Sequence, residues 1–263
     1  MDYSRYRCLK TERKDKVLVV SLNRPEALNA VNGELHRELS TIFADIAVDA
    51  ETQAVVLTGA GRAFCAGGDI KWMEDLQGPG ALDTTLREGR KIIVDMLEVD
   101  QPIIAAVNGP AIGLGATLAL FSDVIFAADT AKFADPHVRV GIVAGDGGAI
   151  IWPWLIGVAR AKEYLMTGDP VTAQEAERIG LVNHVVPADQ LQAKALEFAA
   201  RLANGPTKAI RWTKASVNKI LRDTVNSVLD TSLALEGHTF HTADHQEAKK
   251  AFVEKRTPTF TGR

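Results

Sequence analysis

The sequence predicts an α/β fold in which short buried strands alternate with helices, followed by a mostly helical C-terminal region. Apolar runs of strand length, such as Val17–Leu22 and Ala54–Thr58, end at turn residues. They alternate with segments of helical periodicity over about the first 160 residues, and helical spacing dominates after that point. A chain of 263 residues accommodates one domain with an appendage.

Each element of the first part follows from a local pattern. From Asn32 to Val48 the apolar residues lie on one helical face, and Asn32 is a suitable N-cap. Gln77–Asp83 (QGPGALD) is predicted to be a loop because Gly-Pro-Gly disfavours both regular elements. The same reasoning predicts strands at Pro102–Val107 and Asp123–Ala128, and helices at Leu86–Leu97, Gly113–Phe121 and Gly147–Gly157.

The C-terminal part is predicted to contain five helices. Thr172 and Glu175 form a capping box that begins a helix, which Gly180 ends. The four later helices are predicted at Asp189–Leu202, Thr207–Leu221, Thr224–Phe240 and Thr242–Lys255.

Composition excludes several classes of protein. Hydrophobic residues make up 46% and charged residues 24% of the chain, which excludes a disordered chain or a coiled-coil rod. The formal net charge of −3 predicts neither a nucleic-acid partner nor a membrane-surface patch. Cys8 and Cys65 form no disulfide framework, and no leader pattern is present, so a cytoplasmic protein is expected. Pro102–Ser122 is uncharged, but its internal glycines and Pro110 favour a strand, a turn and a helix over a membrane span.

Three glycine-rich junctions are candidates for chemistry: Gly59–Asp69, Asn108–Gly115 and Gly141–Gly148. A junction from a strand to a helix exposes backbone amides that stabilise an anion or a developing oxyanion. The alternative is that the glycines only permit tight turns and close packing. The sequence lacks a phosphate-binding P-loop, a complete dinucleotide fingerprint, a GxSxG nucleophile elbow and an HExxH zinc motif.

Several ordered motifs resemble the crotonase (enoyl-CoA hydratase/isomerase) superfamily over essentially the whole chain. The matching segments are Leu22–Asn29, Thr58–Lys71, Pro102–Gly115, Gly141–Gly148, Leu165–Val182 and Ala251–Arg256. The resemblance implies a crotonase-like spiral of ββα turns over residues 1–195 and a helical trimerisation region over 196–263. It also implies a homotrimer or a dimer of trimers that acts on acyl-CoA thioesters. Coenzyme A would then be part of the substrate, with no separate cofactor and no metal.

The same resemblance assigns site residues. The backbone amides of Gly68 and Leu114 match the two donors that hold the thioester oxygen in the family. The positions that match coenzyme A contacts are Asp69, Ile70, Lys71, Phe252 and Lys255, and the last two match residues that reach the coenzyme A of a neighbouring subunit. The positions expected at the acyl pocket are Trp72, Met73, Leu76 and Thr117. Alternatively, the lysines are solvated surface charges and the apolar residues belong to the core.

The sequence departs from the family where hydratases carry two catalytic glutamates, because Thr117 and His137 stand at those positions. Thr117 cannot accept a proton at neutral pH, so the usual hydration mechanism is in doubt. His137 can act as a general base, and Asp146 can orient it or relay its proton; Asp146 could equally cap a helix. His137, Asp146 and the following Trp152-Pro153 resemble 6-oxocamphor hydrolase, a family member that cleaves a carbon–carbon bond in a β-diketone.

Three functions therefore remain open at the level of sequence. The favoured one is retro-Claisen hydrolysis of a β-keto or β-diketone acyl-CoA. The second is enoyl-CoA hydration or isomerisation that uses His137 and Asp146, and the third is a catalytically inactive acyl-CoA-binding subunit. The remaining histidines are expected to be surface or structural residues: His36, His184, His238, His241 and His245.

Overall fold

The computed structural model describes residues 1–76 and 80–263 and contains two sheets within that range. The larger sheet has the strand order β1-β2-β3-β4-β6-β9, in which only the β1–β2 pair is antiparallel. The smaller sheet has the order β5-β7-β8. The strands are β1 Leu9–Lys14, β2 Val17–Leu22, β3 Ala54–Gly59, β4 Ile103–Val107, β5 Ala111–Ile112, β6 Val124–Ala128, β7 Lys132–Ala134, β8 Val171–Thr172 and β9 His184–Val186.

The helices connect and cover these strands, as an α/β fold requires. The α-helices are α1 Gly33–Val48, α2 Ile70–Asp75, α3 Ala81–Glu98, α4 Leu114–Leu120, α5 Gly148–Ile156, α6 Val158–Thr167, α7 Ala173–Arg178, α8 Leu191–Ala203, α9 Thr207–Thr239 and α10 Ala243–Val253. Two 3-10 helices span Pro25–Ala27 and His137–Val140. The predicted α/β class and the helical C-terminal region are confirmed.

Capping signals in the sequence operate as predicted. Asn32 Oδ1 accepts the Leu35 N–H at 2.9 Å and begins α1. Thr172 Oγ1 accepts the Glu175 N–H at 3.3 Å and begins α7. The central strands β3 and β4 are buried along their whole length, which explains why they read as continuous apolar runs rather than alternating ones.

Two predictions of local structure need correction, and several short strands were not predicted. The two helices predicted at Thr207–Leu221 and Thr224–Phe240 are one continuous helix, α9, because no glycine or proline interrupts the intervening residues. Helix α3 begins at Ala81, so Ala81–Asp83 are helical instead of part of the predicted loop. Residues 77–79 of that loop lie outside the described part of the chain. Strand β1 and the two-residue and three-residue strands of the smaller sheet were not predicted, because they are too short or too polar for a periodicity signal.

The described helices include none long and apolar enough to cross a membrane. Pro102–Ser122 instead forms β4, β5 and the buried helix α4, as the sequence indicated. Cys8 and Cys65 are both buried and unpaired. The predicted division at residues 195 and 196 falls within helix α8, and a separate oligomerisation unit stays a prediction.

Candidate active site

Backbone hydrogen bonds bring the first two glycine-rich junctions into direct contact and join the second to the segment that carries His137. Cys65 of the first junction accepts the Ile112 N–H at 2.9 Å, which joins it to β5 of the second. The Gly113 N–H donates to the Ala134 oxygen at 2.9 Å, which joins the second junction to β7 and to the segment that carries His137. Gly113 has a φ of 53°, a conformation that favours glycine. Residues far apart in sequence therefore meet at one place.

A cavity with about 520 Å³ of empty space, including its open mouth, lies at this meeting point. Gly68 and Leu114 both line it, as the sequence predicted. Their N–H groups donate to no acceptor in the described part of the chain. Leu114 is the first residue of α4, whose N-terminal amides lack intrahelical partners. These two amides are thus available to a ligand oxygen, and their role as an oxyanion hole stays a prediction.

His137 lies at the cavity wall between two carboxylates. It begins the 3-10 helix that follows β7 and is 8% exposed. Its Nδ1 atom is hydrogen-bonded to Asp135 Oδ1, and its Nε2 atom is 3.7 Å from Asp146 Oδ2. Both His137 and Asp146 line the cavity, so the structure brings together the two residues predicted to be catalytic.

The charges around His137 favour its protonated form. Burial alone would lower the pKa of His137, but the negative charges of Asp135 and Asp146 outweigh burial and raise that pKa well above its ordinary value of 6.5. Burial also raises the pKa of Asp146, against the lowering influence of His137 and the Thr117 hydroxyl. The free site therefore holds a proton that a reaction can use.

Glu236 of helix α9 is a further acid in the cavity that sequence reasoning missed. Its carboxyl group packs against Gly145 of the third junction, and its Oε2 atom is buried with no hydrogen-bond partner in the described residues. Burial, followed by the charge of Asp146, raises the pKa of Glu236 to about 8. Burial therefore favours the neutral form of Glu236, which can donate a proton or a hydrogen bond.

The rest of the wall is mostly apolar and includes the predicted acyl-pocket residues Trp72, Met73 and Leu76. Leu76 packs with Ile142 and Phe240 in a small cluster separate from the main core. Thr117 does not line the cavity. It is fully buried, and its Oγ1 donates to Asp146 Oδ1 at 3.5 Å, so it contacts the candidate catalytic acid and not the predicted acyl pocket.

His36, which the sequence analysis expected to be a surface or structural residue, also contributes to the cavity wall. It is 4% exposed and lines the cavity. Its Nδ1 atom is 2.7 Å from Glu88 Oε2 of α3, and its ring packs at 5.2 Å from the ring of Trp72. No local motif indicated this position, because His36 reaches the cavity only through the packing of α1 on α3.

The residues predicted to bind coenzyme A lie at two separate places. Asp69, Ile70 and Lys71 surround the start of α2, where Asp69 Oδ1 accepts the Lys71 N–H at 3.1 Å and Oδ2 pairs with Arg24 at 3.3 Å. Phe252 and Lys255 lie at the exposed end of α10 and do not line the cavity. Their contact with the coenzyme A of a neighbouring subunit stays a prediction.

A metal ion is the other ligand that such a cluster of side chains could hold. One ligand atom from each of Asp135, His137 and Asp146 lies within 4.8 Å of the others. The two carboxylates, however, face opposite nitrogens of one imidazole ring. An ion bound by Nε2 and Asp146 would leave Asp135 as a hydrogen-bond partner of the ring and not as a ligand. The expected absence of a metal stays a prediction.

Comparison with known proteins gives a consistent result. The family model described as enoyl-CoA hydratase/isomerase matches residues 12–263. A probable enoyl-CoA hydratase of Mycobacterium tuberculosis is 38% identical over 260 residues, which cover 98% of this chain and 99% of the relative. An enoyl-CoA hydratase/isomerase from Mycobacterium paratuberculosis has a solved structure with a TM-score of 0.90 and 39% identity, covering 92% of this chain and 97% of that one.

A structural neighbour with a different activity is a β-diketone hydrolase from the cyanobacterium Anabaena, solved with bound (S)-3-oxocyclohexyl acetic acid. Its TM-score is 0.85 and its identity 35%, covering 90% of this chain and 96% of that chain. These likenesses confirm the crotonase fold that the motifs predicted. On the family match and the identities over nearly the whole chain, the protein belongs to the enoyl-CoA hydratase/isomerase family, the crotonase superfamily of enzymes.

Proposed function

We propose that this enzyme hydrolyses a carbon–carbon bond of a β-keto or β-diketone substrate, carried as an acyl-CoA thioester, by a retro-Claisen reaction. The observation that carries the proposal is the His137 ring, which lies between two carboxylates at the wall of a cavity that also holds two free amides. The likeness to a β-diketone hydrolase supports it. The absence of the two hydratase glutamates, replaced by Thr117 and His137, argues against standard hydration.

The geometry supports a reaction in two stages. Neutral His137 accepts a proton at Nε2 from water, and the water oxygen forms a bond to one carbonyl carbon of the substrate. The bond from that carbon to the central carbon then breaks, and its electron pair forms an enolate with the second carbonyl group. The central carbon finally takes up the proton from His137, so that water is divided between a carboxylic acid and a ketone or thioester.

The other groups of the cavity stabilise this sequence. The N–H groups of Gly68 and Leu114 donate to the oxygen that becomes negative, and one such donor is typically worth about 3–4 kcal/mol of barrier lowering. Asp146, held by Thr117, lies on the Nε2 side of His137, where it can orient the water or relay the proton. The apolar side chains of Trp72, Met73 and Leu76 contact the carbon skeleton.

The experiment offers the purified enzyme a cyclic β-diketone, the coenzyme A thioester of a β-keto acid, and crotonyl-CoA. We expect the first or second to be cleaved in ¹⁸O-labelled water with one label in the new carboxylate, and His137→Gln to abolish cleavage. Cleavage of the free diketone alone would retain the reaction and remove the coenzyme A part of the proposal.

The second candidate function is enoyl-CoA hydration or isomerisation with His137 and Asp146 as proton carriers, and the hydratase name of a relative at 38% identity favours it. Turnover of crotonyl-CoA above about 1 s⁻¹, a rate ordinary for enzymes, without cleavage of either dicarbonyl compound would establish it and overturn the retro-Claisen proposal. Binding of acyl-CoA with no turnover of any of the three compounds would instead indicate an inactive subunit.

A further inference from the structure

Asp135 is a carboxylate beside His137 to which no sequence motif assigned a role, and its position differs from that of Asp146. Its side chain is 1% exposed, compared with 14% for Asp146. Asp146 lines the cavity, whereas Asp135 is absent from the described residues that do so. Asp135 thus reaches a ligand only through the His137 ring.

The hydrogen bond between Asp135 and His137 fixes the orientation of the ring. Asp135 Oδ1 lies beside Nδ1, so the proton on the neutral ring is held at Nδ1 and the lone pair at Nε2 faces Asp146 and the cavity. A general base needs that lone pair toward its water. A ring without this partner could rotate or place its proton on Nε2, and either change would remove the base.

The first turn of α5 keeps Asp135 in place. The second oxygen of Asp135, Oδ2, is buried against Gly148, the first residue of α5, and has no hydrogen-bond partner among the described residues. A Cβ atom at Gly148 would overlap this oxygen, so glycine is required for the carboxylate to lie there. The positive end of the helix dipole stabilises the negative charge at that position.

We infer that Asp135 is a positioning residue that acts through His137, and that Gly148 preserves the space in which it does so. The inference rests on the proposed function only in taking His137 as the base. It predicts that the Asp135 carboxylate, and not only Asp146, determines the tautomer and proton affinity of His137.

The test is the titration of ¹⁵N-labelled histidine by NMR in the wild-type protein, Asp135→Asn and Asp146→Asn, with the His137 signal assigned by its loss in His137→Gln. In Asp135→Asn we expect a His137 pKa lower than in the wild type and a neutral ring no longer confined to the Nδ1–H tautomer. In the proposed reaction we expect kcat to fall by about 10²-fold or more, as for loss of an orienting aspartate, with KM little changed.

A double-mutant cycle supplies the control for misfolding. Gly148→Ala is expected to lower kcat in the wild-type background and to have little further effect in Asp135→Asn, since both changes act on one contact. An unchanged His137 pKa and tautomer in a folded Asp135→Asn protein would overturn the inference, and equal losses from Gly148→Ala in both backgrounds would overturn the role of Gly148. The NMR titration needs no substrate, so it can test the role of Asp135 even if the proposed retro-Claisen reaction is not observed.

Discussion

Two buried histidines line the same cavity, and each has a carboxylate beside its Nδ1 atom. His36 of α1 pairs with Glu88 of α3, whose side chain is 22% exposed, whereas His137 pairs with Asp135, which is 1% exposed. His137 alone has a second carboxylate, that of Asp146, facing its other nitrogen. The comparison shows that the surroundings of an imidazole decide its chemistry: one partly solvated carboxylate lies beside His36, whereas Asp135 and Asp146 together favour a proton on His137.

The backbone supports of the two histidines differ as well. His36 lies within α1, a regular helix of 16 residues. His137 is the first residue of a short 3-10 helix that ends at Val140. Helix α10 contacts the end of this 3-10 helix, because His245 Nδ1 donates to the Val140 oxygen at 2.7 Å. The segment that carries His137 follows β7 in the N-terminal part of the chain, but its position depends on a contact with the C-terminal helix α10.

The largest effect is expected when each of the two histidines is replaced and the loss of kcat is compared. We expect His137→Gln to lower kcat by about 10²–10⁴-fold, the usual contribution of a general acid–base group. We expect His36→Gln to cause a smaller loss, because among the described residues His36 forms an ion pair with Glu88 alone. Steady-state kinetics on the cleaved dicarbonyl substrate provides the measurement, with His184→Gln at an exposed position as the matched control. Equal losses at His36 and His137 would refute the distinction.

The pH dependence of kcat/KM tests whether the carboxylates beside His137 control its protonation. Because His137 must be neutral to accept a proton and its pKa is raised above 6.5, kcat/KM should rise with pH through an inflection above 6.5. Asp146→Asn removes one of the charges that raise this pKa, so the inflection should move to lower pH. The control is Glu197→Gln, an exposed carboxyl on α8. An inflection that stays in place in Asp146→Asn would show that His137 does not control the profile.

The pH dependence of protein stability tests the raised pKa of Glu236, the acid that lines the same cavity. The pKa of Glu236 is about 8 in the folded protein, above its ordinary value of 4.5, so the folded state binds this proton more tightly. Its contribution to stability is complete below 4.5 and is lost as pH rises through about 8. Glu236→Gln mimics the protonated group, so the wild type should lose stability relative to this variant as pH increases over that interval. Urea unfolding at several pH values measures the difference, and parallel pH curves would contradict the burial of an ionisable Glu236.

The smallest expected effect concerns the support of His137 by α10. Thr242 Oγ1 accepts the His245 N–H at 3.2 Å and caps α10. Thr242→Ala should lower the free energy of unfolding by about 1 kcal/mol, as for loss of an N-cap. Chemical denaturation gives this value, and Thr257→Ala, at an exposed position outside the helices, is the control. Equal stability of the two variants would show that the cap does not hold α10.

Much of the fold and part of the site were accessible from sequence. The caps Asn32 and Thr172 and the apolar strands β2 and β3 depend on neighbouring residues, so local patterns predicted them. Family motifs likewise located Gly68, Leu114, His137 and Asp146. Asp135 was visible two positions before His137, yet nothing in the sequence said which way its carboxyl group points.

Residue type and local spacing were enough to predict the alternation of strands and helices, the glycine junctions and the replacement of two glutamates by Thr117 and His137. Packing between distant elements places His36 and Glu236 at the cavity and Asp135 behind the His137 ring. Those positions depend on how α1 packs on α3 and how α9 crosses the third junction. Burial and charge, which set the proton affinities of His137 and Glu236, arise from that packing and from no single segment.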